Sequence, residues 1–565
     1  MPDPWTAPLA LGWGLFGLYL ALTYWLAWLG HKRTDSFASF AIGKGDMGAG
    51  VAGLTLGACL ASTATFVINP GFVYRWGLPA LLALTVPFVL GIFAGLAVLG
   101  PGFRRHGARA TTLPIWLGDR YGSGGLRLWF ALLSVLHVFY VVLIVVGAAY
   151  VMKATLGLDY AWSVTVVVGV VFSYVFLGGT YAHAFTNTAQ GALMLVVAVA
   201  IFVQALRALG GPGAALEALA AQDPRLVAAV DPTSPYYATW FEVLVCPFVI
   251  GFALVSQPHL LVKSLYVRTS KDVVTLSLVG GACFVVFSLV LVAGLAARLQ
   301  LGEGQNLNAV TSVWLAQAFP PMVGAVVGVT ILAAAMSTLD GLLVAVSCIV
   351  GGDLATHPVV ARRLRLETPE AVSQAALRAG RWTLIALGLV AWLLSGGLAV
   401  LAPALVRLGL TLPAWTLSPP ALVGIFGTVG AYGLVIAALP AILYGLRARP
   451  PAAWTVGVAS VVALGLHLGL YALSQALGAG LADRLVAAGW DAATLASLAR
   501  VGGNTGLTAT LGLLLALPLP AALEALARRL APAADGTPAQ VDAAAPSAPT
   551  APGAPTASQR LALAL

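Results

Sequence analysis

Ser337, Thr338 and Asp340 stand within one helical turn of each other, inside the apolar stretch that runs from Ile331 to Val346. A carboxylate at membrane depth is costly unless a cation, a proton or a polar cavity compensates it. Two adjacent hydroxyls beside backbone carbonyls are hard oxygen ligands, which suit a hard cation such as Na⁺. Such a set makes a cage of about five oxygens with no full charge. The same hydroxyls could instead bond back to carbonyls of their own helix, as Ser and Thr in membrane helices often do. On the residues alone both alternatives stand.

These residues need a scaffold that holds them inside a bilayer, and the composition supplies one. The 565-residue chain is 60% hydrophobic and only 9% charged, against roughly 25% charged in a soluble domain. So few charges cannot cover a water-facing surface, which excludes a soluble protein. The net charge of +9 does not point to nucleic acid, because the basic residues fall in short loops between apolar runs. Cys59, Cys246, Cys283 and Cys348 all lie in apolar segments and are expected to be reduced core thiols. The first apolar run lacks a basic leader, so it reads as a span and not as a cleaved signal.

The ~20-residue length of a membrane helix divides the chain into about thirteen spans: 7–29, 48–78, 80–101, 126–152, 161–179, 186–207, 238–262, 272–297, 319–350, 382–405, 418–446, 453–476 and 504–527. With the N-terminus outside, twenty-one of the 29 Lys and Arg residues, Lys263 among them, fall in inside loops, the excess that cytoplasmic loops carry. The C-terminus is then cytoplasmic, and the location is the plasma (inner) membrane. The Ala/Pro-rich tail 531–565 is expected to be disordered.

Two spans carry interruptions. The second contains Asn69-Pro70-Gly71, and the seventh contains Pro247, Gly251 and Pro258. Backbone groups freed at membrane depth persist only where a cavity, an ion or other protein satisfies them. Interrupted helices at matching positions in two halves point to an inverted-repeat transporter. The expected division is an N-terminal peripheral helix and first loop (1–47), a first repeat (48–208), a second repeat (238–446), peripheral helices (453–530) and the tail. The fold class is all-α integral membrane.

A family resemblance rests on stretches in order along the chain. Ala333-Ala-Ala-Met-Ser-Thr-Leu339 followed by Asp353-Leu354 resembles the ninth helix of the sodium:solute symporter family. Phe37 to Lys44 resembles its first cytoplasmic loop, and Ala110 to Arg120 its loop after the third helix. Gly178-Gly179 with Thr186, Asn187 and Gln190 resembles the entry to its sixth helix. Gln257-Pro258-His259 through Lys263 resembles the signature ending its seventh helix. The proline and pantothenate branch looks closest.

The resemblance implies a LeuT-like five-plus-five inverted repeat with one sodium site between the second and ninth spans. Its ligands would be the carbonyls of Ala58, Ala61 and Ala334 and the hydroxyls of Ser337 and Thr338. Ser62, Thr65, Asn69 and Gln257 are candidates for solute contact, and Asn187 and Gln190 for ion exit or gating. Two departures stand out. Many members carry an acid where this chain has Asn187, and the proline branch has one where Leu60 aligns. Asp340 is a candidate for the missing negative charge beside the ion, or a carboxylic acid kept neutral by burial.

Other polar residues read more plainly. Glu242 reads as an outer-surface residue near an aromatic belt. His137 reads as a satisfied buried imidazole, His259 as structural, and Tyr140 and Trp76 as packing aromatics. His183 joins Gln190 as a candidate for an inner gate. The sequence shows no nucleotide loop and no catalytic constellation, so no enzyme is expected. The function expected is Na⁺-coupled uptake of a small organic solute, with Na⁺ as the transported coupling ion and the lipid bilayer as the surroundings. The alternatives are a proton-coupled symporter using Asp340, or a membrane sensor that has lost transport.

Overall fold

The computed structural model describes residues 6–32, 47–106, 110–355, 357–364, 367–407 and 412–530. The Phe37–Lys44 motif and the tail 531–565 lie outside the described residues. Among the described residues there are helices and turns, and no strand. The helices that position the site are α1 (Thr6–His31), α2 (Ala49–Leu60), α3 (Asn69–Leu84), α4 (Val86–His106), α5 (Leu113–Tyr121), α6 (Gly124–Leu133), α7 (His137–Leu156) and α8 (Tyr160–Leu209). They continue with α9 (Cys246–Leu254), α10 (Pro258–Leu261), α11 (Ser270–Ser288), α12 (Pro321–Ile349), α13 (Pro369–Leu394), α14 (Val423–Gly445), α15 (Ala453–Ala476) and α16 (Thr505–Ala516).

Ten helices among the described residues are long and apolar enough to cross a membrane, or eleven if one bent pair counts as a span. The expected thirteen is not confirmed. Ala49–Leu60 and Tyr160–Phe176 are apolar but short, and Ala64–His106, counted as one stretch, breaks at Gly77, whose φ of 61° and ψ of −136° are not helical. The tenth span also begins earlier than expected, at Pro369 and not near 382. Its first turns carry Arg378 and Arg381, so hydropathy registers only the later, apolar part.

The backbone of α8 is helical throughout and would be about 75 Å long if straight. It folds back instead. The Tyr174 hydroxyl and the Thr186 hydroxyl both lie 3.5 Å from Oδ2 of Asp340. These residues would be far apart on a straight helix, so α8 consists of two limbs.

The second span breaks at Ala61–Thr63, eight residues before Pro70. Ala61 is extended (φ −99°, ψ 120°), and the turn after it is held by side chains. Ala64 N donates to Ser62 Oγ at 3.1 Å, and Ser62 N to Thr65 Oγ1 at 3.5 Å. Expecting the break at Asn69-Pro70-Gly71 was therefore an error. Proline is tolerated in the first turn of a helix, and Pro70 occupies that place in α3. A π-helical turn, Ala64–Ile68, precedes it. The seventh span repeats the device: a π-helical turn, Phe241–Val245, precedes Cys246-Pro247. Such widened turns concentrate at functional sites. This span also bends by 60° between Leu254 and Pro258.

Glycines set the packing, and they do so in related pairs. A Cβ on Gly57 would lie 2.6 Å from Cβ of Cys283, and one on Gly280 would lie 2.8 Å from Leu56. So α2 and α11 touch through bare backbone. A Cβ on Gly91 would collide with the Phe248 carbonyl oxygen, and one on Gly251 with that of Phe88. So α4 and α9 do the same. Small residues permit this close approach where lipid supplies no hydrophobic drive. The second span pairs with the eighth and the third with the seventh, the exchange that a pseudo-twofold axis between two five-helix repeats produces.

Candidate functional site

The break in the second span leaves the carbonyls at the end of α2 without partners from the next turn. The hydroxyls of α12 meet them. Ser337 Oγ lies 3.2 Å from the Ala58 oxygen and 2.7 Å from that of Ala334. Thr338 Oγ1 lies 3.2 Å from the Ala61 oxygen, 3.4 Å from that of Cys59 and 3.5 Å from that of Ala334. All five expected ligand residues are fully buried. Bonding back to α12 and facing α2 are thus both realised by the same hydroxyls. The resulting set is neutral, all oxygen, and drawn from two helices. Its chemistry fits a small hard cation, whose arrival would turn the hydroxyl protons away.

Asp340 does not reach these oxygens with any contact shorter than its own pairing. Its Oδ1 lies 2.7 Å from His183 Nδ1, and His183 Nε2 lies 2.7 Å from Lys263 Nζ. Asp340, His183 and Lys263 are 1%, 3% and 0% exposed. Lysine is only a donor, so Nε2 accepts and Nδ1–H donates to the carboxylate. Lys263 was counted among the loop cations, and the structure corrects this. The bend before Pro258 carries it into the bundle, a consequence of tertiary structure that charge counting cannot see.

Asn187 joins this chain to the oxygen cage. Its Nδ2 lies 3.1 Å from Cys59 Sγ and 3.3 Å from the Ser337 carbonyl oxygen. Gln190 lies apart, with Nε2 donating to the Tyr19 hydroxyl of α1 at 2.6 Å. The four cysteines are free and buried.

The solute candidates separate. Ser62 and Thr65 bond across the break. Asn69 lines a cavity of about 990 Å³, open solvent included, together with Phe72, Tyr140, Tyr237, Thr428 and Tyr432. Gln257 is 1% exposed and sits at the bend of the seventh span, with neither amide atom partnered. His137 Nδ1 bonds the Ser134 oxygen at 2.9 Å, but its Nε2 has no partner. The imidazole is therefore only half satisfied. His259 packs its ring 5.9 Å from that of His137. Tyr140 and Leu254 line the large cavity; His137 lies three residues before the first and Gln257 three residues after the second, about one helical turn away in each case.

Glu242 also lines the large cavity and is 4% exposed, which corrects its reading as a surface residue. Arg500 Nη1 donates to it at 2.7 Å, Thr239 Oγ1 at 3.0 Å and Asn504 Nδ2 at 3.3 Å. Its charge is thereby compensated by a residue 258 positions away in sequence.

At the other end, two of the quoted motifs are partners. Thr112 caps α5 by accepting from Ile115 N at 3.2 Å, and donates to Asp353 Oδ2 at 2.6 Å. Arg127 Nε donates to Asp353 Oδ1 at 2.7 Å and Nη2 to the Gly352 oxygen at 2.8 Å. Asp353 is 0% exposed. The loop after the third span is thus fastened to the far end of α12.

Known proteins resemble the chain in sequence and in fold. The model of the sodium:solute symporter family matches residues 40–400. The chain is 28% identical over 335 residues to the sodium/pantothenate symporter of Escherichia coli (strain K12), covering 57% of this chain and 67% of that one. It is 24% identical over 340 residues to the high-affinity proline transporter of Bacillus subtilis (strain 168), covering 58% and 70%. A solved structure of a Na⁺-coupled sialic acid symporter, substrate-bound and outward-open, superposes with a TM-score of 0.66 at 17% identity. The match covers 93% of this chain and 99% of that one, and it shows a shared LeuT-like fold. Members of this family are multi-pass membrane transporters, not enzymes. The match covers well over half the chain, and the chain belongs to the sodium:solute symporter family.

Proposed function

We propose that this chain takes up a small organic solute by Na⁺-driven alternating access. The observation that carries the reading is the meeting of the Ala58 and Ala61 carbonyls with the Ser337 and Thr338 hydroxyls across two helices. Na⁺ held by these oxygens and by the Ala334 carbonyl would fix the break in the second span and favour the outward-open form. That would pre-organise the neighbouring cavity for solute, and solute would tighten Na⁺ by the same factor. Rocking of the repeats would then expose both to the cytoplasm. One Na⁺ entering through 100 mV supplies about 2.3 kcal/mol from the voltage alone.

Asp340, one turn along α12 from Ser337, supplies compensating negative charge through space. The excess of basic residues near Thr112 and Tyr266 supports reading that end as cytoplasmic, with the N-terminus outside and the C-terminus inside. Asn69 contacts the solute, and Asn187 stands on the ion's way out. The large cavity carries no uncompensated charge, because Glu242 is paired with Arg500. This favours a solute read by hydroxyl and amide groups.

The test is a thermal-shift screen of candidate solutes, each with and without Na⁺. A substrate stabilises more strongly when Na⁺ is present; a solute effect indifferent to Na⁺ would overturn the coupling. One observation favours a second reading: the buried Asp340–His183 pair could hold a proton. A pH jump across sodium-free proteoliposomes separates the two, since only the proton-coupled reading gives accumulation there.

A further inference from the structure

We propose that Lys263, His183 and Asp340 form the stopper between the ion cage and the cytoplasmic cavity, and that Lys263 must leave His183 before Na⁺ can exit. This rests on the cage reading given above. The argument starts from position. His183 lines a small cavity, about 390 Å³ with its open solvent included, together with Thr111, His259, Tyr266 and Cys348. On its other side His183 Nε2 lies 3.6 Å from Cys59 Sγ, and Cys59 directly follows Ala58 of the cage. One imidazole therefore stands between the two compartments. Gly341 lets it stand there: a Cβ at that position would lie 2.9 Å from His183 Cε1 and 3.3 Å from Cys59 Sγ.

The chain of bonds then fixes the imidazole from both ends. Three elements contribute: the turn of α8, the middle of α12, and the segment after α10. Lys263 lies beyond the 60° bend of the seventh span, so it moves with the lower half of that broken helix. Cys59, Tyr174, Thr186 and Asn187 also lie against the chain, and Lys263 Nζ stands 5.3 Å from the centre of the Tyr266 ring. The buried Lys263 ammonium is held by a charge-assisted bond to His183 and repels a cation approaching from the cage. Closing the route and setting a positive charge across it are thus done by one residue. Lys263 and His183 are positioning residues here, since neither touches the bound ion.

The experiment uses the full chain in proteoliposomes, with Cys246, Cys283 and Cys348 replaced by alanine, so that Cys59 reports on the stopper. A membrane-impermeant thiol reagent is applied from the side of the smaller cavity. Lys263→Met should raise the labelling rate of Cys59 by about tenfold, the effect of losing one charge-assisted bond. Lys263→Arg should restore slow labelling. Net uptake by Lys263→Met should fall while solute-for-solute exchange at equal Na⁺ persists, because only net uptake needs regulated ion release. Should Lys263→Met not fold, His183→Gln is read in the same assays with the same expectations. Equal labelling in the parent and the variants would overturn the stopper. Failure of the cage reading shows separately, as a parent protein whose melting temperature does not respond to Na⁺.

Discussion

Replacing Ser337 by alanine removes one of the five oxygens and little else. In the structure Ser337 Oγ donates back to the Ala334 carbonyl at 2.7 Å, a bond whose loss leaves that carbonyl available to the backbone N–H of its own helix. Folding should therefore be nearly unaffected. Ion affinity should not be. A hydrogen bond to a charged group contributes about 1.5–3 kcal/mol, and taking an ion–hydroxyl contact as similar gives a ~10–150-fold rise in the Na⁺ dissociation constant. At a Na⁺ concentration about 100 times the parent's dissociation constant, binding stabilises the parent by about 2.7 kcal/mol. A tenfold weaker site leaves about 1.4 kcal/mol by the same relation. The assay is the Na⁺ dependence of initial uptake, read beside the Na⁺-induced thermal shift. An unchanged half-saturating Na⁺ concentration in Ser337→Ala, with unchanged thermal shift, would refute the reasoning.

Three further outcomes follow from other parts of the molecule. Gly57→Val should lower the melting temperature by the equivalent of about 1–3 kcal/mol of overpacking, because its Cβ would meet that of Cys283 at 2.6 Å; unchanged melting would refute the α2–α11 contact. Thr112→Ala should cost about 1 kcal/mol through the lost cap and also leave Asp353 with one donor fewer, so its melting deficit should exceed that of an ordinary capping variant. Glu242→Gln should weaken solute binding more than Na⁺ binding, since Glu242 lines the large cavity and not the cage; separate titrations of solute and Na⁺ by thermal shift measure this.

What could be read in advance depended on how local the physics was. Ser337 and Thr338 were legible because two hydroxyls in an apolar run are an oxygen donor set wherever they fold, and a resemblance supplied Ala58, Ala61 and Ala334. The break in the second span was misplaced because proline is a local cue, whereas the actual break depends on Ser62 and Thr65 replacing backbone partners. Lys263 and Glu242 were misread for a shared reason. A charge looks solvated until its partner is known, and the partners, His183 and Arg500, come from remote parts of the chain. A lysine four residues after the Gln257-Pro258-His259 stretch, at the inner end of a broken helix, was the one signal that could have flagged the stopper. The early start of α13 was hidden because Arg378 and Arg381 look like loop to a hydropathy scan, though the helix simply extends beyond the apolar layer.

The most direct test of the account is a structure of the protein determined in Na⁺, and again with Tl⁺ in its place, to locate the ion. The account predicts one ion enclosed by the carbonyls of Ala58, Ala61 and Ala334 and the hydroxyls of Ser337 and Thr338, the heavier ion giving stronger density at the same spot. Well-ordered density for these five residues with the ion bound elsewhere, or with no ion at saturating Na⁺, would contradict it.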